Sequence, residues 1–125
     1  MPEVQLLMVD IYLSASDRSP SGNRNALEEA IRVSRAIESQ NEHLSFVCRY
    51  YNAKAMRRLG YFEQAEKTLE ELLTSGQLDD LFVKYELART YEDAGNTRQA
   101  QKRYQEIFAS SPNFLDVRER MILES

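Results

Sequence analysis

The chain has 125 residues, enough for one domain with a core of its own, and 42% hydrophobic against 29% charged residues excludes a disordered or low-complexity chain. One cysteine and one histidine exclude an internal disulfide and a zinc cage, and a net charge of −4 argues against a nucleic-acid binder. The longest early apolar run, Leu6 to Val9, stops at Asp10, and Glu3 precedes the first cation, Arg18, so neither membrane insertion nor a signal peptide is expected and the chain is placed in the cytoplasm.

Seven helices are predicted in chain order, at 3–15, 25–40, 43–59, 61–74, 80–94, 97–110 and 113–124. Ser14 to Asn25 forms a polar loop with Pro20 and Gly22. From Tyr61 onward, Phe62, Ala65, Leu69, Leu72 and Leu73 make one apolar stripe, with Glu63, Glu66, Lys67, Glu70 and Glu71 opposite. Gly60, Gly76 and Gly95 end helices. Ser111 and Pro112 read as the cap and first residue of the final helix, in which Phe114, Val117 and Met121, with Leu115 and Ile122, cover the body while Asp116, Arg118, Glu119 and Arg120 face water.

These elements repeat. Ala30, Ala65 and Ala100 are 35 residues apart, as are Ile37, Leu72 and Ile107, and the same interval relates Gly60 to Gly95, Ala53 to Ala88, Met56 to Tyr91 and Leu69 to Tyr104. Leu87-Ala88, Tyr91, Gly95, Ala100, Tyr104 and Pro112 follow the pattern L-G-x2-Y, A-x3-F, P, with Lys84 where a tryptophan stands first. Asn52-Ala53, Met56, Gly60, Ala65 and Leu69 give a degenerate copy with Gln77 in place of proline. On these residues the chain resembles the tetratricopeptide repeat family, most specifically from Phe46 to Pro112. The resemblance implies an all-α, right-handed α-solenoid of about three helix-turn-helix units with a C-terminal capping helix. The units fall at about 3–40, 43–78 and 80–112 within a single domain spanning 1–125, with the cap at 113–124.

No catalytic site is expected. Glu42, His43 and Ser45 crowd one helix start and cannot converge as a triad, Cys48 reads as a small core residue, and the isolated glycines make no phosphate loop. Neither a metal nor a cofactor is expected. Charge is segregated instead: Phe46 to Gly60 carries four cations and no acid, whereas Tyr61 to Asp80 carries six acids and one cation.

First helices of stacked repeats line the concave side, which makes Val47, Tyr50, Lys54, Arg57, Arg58, Phe82, Tyr85 and Arg89 the expected partner-binding groove, with Glu92 and Asp93 at its edge. A noncatalytic protein-interaction module follows, whose partner is a protein or peptide, acidic or carboxylate-terminated. The alternative is a self-associating homo-oligomer joined through its repeat ends or capping helix.

Overall fold

The computed structural model describes residues 24–76 and 80–123, so the helix expected at 3–15 and most of the loop after it lie outside the described residues. Within them run six α-helices: α1 Arg24–Gln40, α2 Ser45–Leu59, α3 Phe62–Ser75, α4 Asp80–Asp93, α5 Thr97–Ser110 and α6 Val117–Leu123. A single 3-10 turn, Glu42–Leu44, leads into α2. Among the described residues every regular element is helical, and no helix is long and apolar enough to cross a membrane.

The 35-residue interval is written into the backbone. α1, α3 and α5 end at Gln40, Ser75 and Ser110. At the end of α2 the chain turns through Gly60 at φ +89; Gly60 N–H donates to Arg57 O at 3.0 Å and Tyr61 N–H to Met56 O at 2.8 Å. One interval later Gly95, at φ +85, donates to Glu92 O at 3.1 Å and Asn96 to Tyr91 O at 2.8 Å. This left-handed C-terminal cap satisfies carbonyls that the helix leaves open. Both turns feed a helix whose alanine is fully buried, Ala65 and Ala100, each bonded back to the residue after the glycine at 3.1 Å. Asn96 also caps α5 through its side chain, which accepts from Gln99 N at 3.3 Å.

Each helix packs on the next in the chain, and α2 lies in addition against α4. The apolar stripes then close into three successive clusters. Leu27, Ala30, Val33 and Ile37 of α1 meet Cys48 and Ala55 of α2. Ala53 of α2, Leu69 and Leu72 of α3 and Val83 and Leu87 of α4 form the second. Tyr85, Ala88, Ala100, Tyr104, Ile107 and Val117 form the third. Ala53, Ala65, Ala88 and Ala100 have no exposed surface, which is why small residues recur there: backbones approach and leave no room for a longer chain.

The C-terminal segment departs from the sequence expectation. Ser111 does not open a helix; it ends α5 with extended backbone, φ −151 and ψ 87, the conformation that a following proline imposes. The chain turns through residues 112–116, with Leu115 at φ +46, and α6 begins at Val117 rather than at 113. Val117 is fully buried and Phe114 and Met121 pack against the third cluster, whereas Leu115 is 59% exposed. The side chain of Ile122 lies outside the described residues. Asp116 and Arg120, expected in water, bond instead to Tyr85 and Glu92.

Candidate functional site

The eight residues expected to line a groove lie on two neighbouring helices, Val47, Tyr50, Lys54, Arg57 and Arg58 on α2 and Phe82, Tyr85 and Arg89 on α4. Their surroundings differ sharply. Arg57 is 6% exposed and lies against α4, with Nε 3.1 Å from Glu86 Oε2 and Nη1 2.8 Å from Asp93 Oδ2. Burial opposes its charge, yet Glu86 and Asp93 outweigh that and hold the guanidinium above its usual range. Arg57 is therefore a counter-ion inside the fold, not a contact for a partner. Arg58 is half-buried and already engaged.

Lys54 and Arg89 are more open, each with a quarter of its side chain exposed. Their ion contacts are the looser ones. Lys54 Nζ stands 3.9 Å from Glu86 Oε1 and 5.6 Å from the Tyr50 ring centre; the buried Arg89 Nε stands 3.5 Å from Glu92 Oε1 without forming a hydrogen bond, while the same guanidinium is hydrogen-bonded to Tyr85. Glu86 and Glu92 are each claimed first by another arginine, Arg57 and Arg120.

The aromatic row also divides. Val47 and Tyr50 are half-buried, and burial, reinforced by Glu86, pushes the Tyr50 phenol far up. Tyr85 is 9% exposed, its hydroxyl donating to Asp116 and its ring centre 6.2 Å from those of Tyr104 and Phe114. Burial raises the Tyr85 phenol, whereas hydrogen bonds from Tyr85 and Arg120 overcome the burial of Asp116 and hold its carboxyl below the usual range. Phe82 alone of the three α4 residues is exposed, at 46%, edge-on to Phe114 with ring centres 5.0 Å apart.

The acids Glu86, Glu92, Asp93 and Asp116 thus complete the surface and neutralise most of its cations. Sequence reasoning missed Glu86, and its signal was available: it is set among Val83, Tyr85, Leu87 and Ala88, all of which are buried, and an acid buried with them, at 3% exposure, requires a cation. Other reactive groups are committed elsewhere. Ser45 Oγ donates to Glu38 Oε2 at 2.6 Å rather than meeting His43, which is exposed. Burial pushes the Cys48 thiol up to about 11, so it stays protonated and unreactive at neutral pH. Compared with known proteins, the chain matches no protein-family model, no curated protein and no solved structure.

Proposed function

We propose that this chain is a noncatalytic interaction module of the tetratricopeptide-like kind. In this reading the helix pairs stack as a right-handed α-solenoid and the surface shared by α2 and α4 holds a segment of another protein. The observation that carries it is the recurrence, 35 residues apart, of one turn with the same pairs of backbone hydrogen bonds, from Arg57–Gly60 and Met56–Tyr61 to Glu92–Gly95 and Tyr91–Asn96. A fold built by repeating one unit presents equivalent side chains in rows, and a row is suited to reading an extended or helical segment. Such a surface needs no reactive group.

On it, Phe82 supplies an exposed aromatic anchor, and Lys54, held only by the loose contact to Glu86 and the Tyr50 ring, is the cation open to an incoming acid or terminal carboxylate. The test is affinity capture from the source cell's cytoplasmic extract with the wild-type chain and a Phe82→Asp variant of equal helix content. A protein retained by the first and lost by the second, then rebound as a purified partner with the same preference, is the expected result. Equal retention of every protein by both chains would remove the α2–α4 surface from the reading.

A further inference from the structure

We draw no further inference here: the strongest candidate, the exposed apolar side chains Phe82 of α4 and Leu115 of the turn before α6, with Phe114 edge-on to Phe82, belongs at Phe82 to the surface already described, and nothing in the structure shows what covers the rest.

Discussion

Asn52 stands where the next unit has Leu87, 35 residues on, and the two show what one residue does inside the same packing. Leu87 has no exposed surface; Asn52 is 5% exposed, and its Oδ1 has no hydrogen-bond partner. A buried acceptor left unbonded costs about 1–3 kcal/mol. Asn52→Leu should therefore raise the thermal midpoint by the equivalent of about 1 kcal/mol once some crowding is allowed for, and a lower midpoint would mean that the amide is satisfied by ordered water. Arg57 is the opposite case, a buried group with its partners in place. Arg57→Met leaves Glu86, 3% exposed, with Lys54 at 3.9 Å as its nearest cation, and is expected to destabilise by about 3–5 kcal/mol in urea unfolding. Adding Glu86→Leu should restore most of that loss, since the cost lies in an orphaned charge rather than in a missing attraction. No restoration would show that Asp93 and Lys54 hold the α2–α4 contact without Arg57.

At the scale of elements, the helix ends carry the clearest expectation. An added Cβ at Gly60 or Gly95 would meet no atom within 4 Å, so replacing either by alanine tests the left-handed backbone alone. Gly60→Ala and Gly95→Ala should each cost about 1–2 kcal/mol, and by similar amounts, because φ is +89 and +85. Unequal losses would mean that the two turns, alike in geometry, differ in what they support. These turns were legible from sequence because glycine spacing and apolar period are local signals, and the boundaries of α1, α3, α4 and α5 follow them to within a residue. The start of α6 was not legible. Ser-Pro has the form of a helix opening, but Phe114 packs edge-on to Phe82, and the turn through Leu115 that places it there delays the helix to Val117. The candidate surface was readable in part for a related reason. The interval placed its residues on adjacent helices, yet whether a cation is free depends on acids from another helix, as Arg57 depends on Glu86 and Asp93, and no one-dimensional pattern reports that pairing.

For the whole molecule, the same burial that builds three clusters in a row sets a limit on the alkaline side. Cys48 belongs to the first cluster, Tyr50 and Tyr91 pack against the second, and Tyr85 and Tyr104 belong to the third. Desolvation raises every one of these groups above its usual value of 9.0 for the thiol or 10.0 for the phenols, with Glu86, Asp116, Glu70 and Glu92 adding repulsion at the four tyrosines. The folded chain therefore keeps protons that the unfolded chain releases. Above pH 9 the unfolded state binds fewer protons than the folded one, so stability falls as pH rises, and it falls more steeply above pH 10 as the tyrosines join the thiol. From neutrality to about pH 8 these groups are protonated in both states and contribute almost no slope. Because the tyrosines are spread over adjoining clusters, loss of one cluster exposes its neighbour, and their ionisation should coincide with loss of helix in a single step. Following tyrosinate absorbance and far-ultraviolet dichroism together through an alkaline titration checks this. In a chain carrying Tyr12→Phe, Tyr51→Phe and Tyr61→Phe, which leaves only the four clustered tyrosines, phenols that ionise progressively while the helix signal holds would show that these rings reach water in the folded chain, and that the clusters open independently rather than as one core.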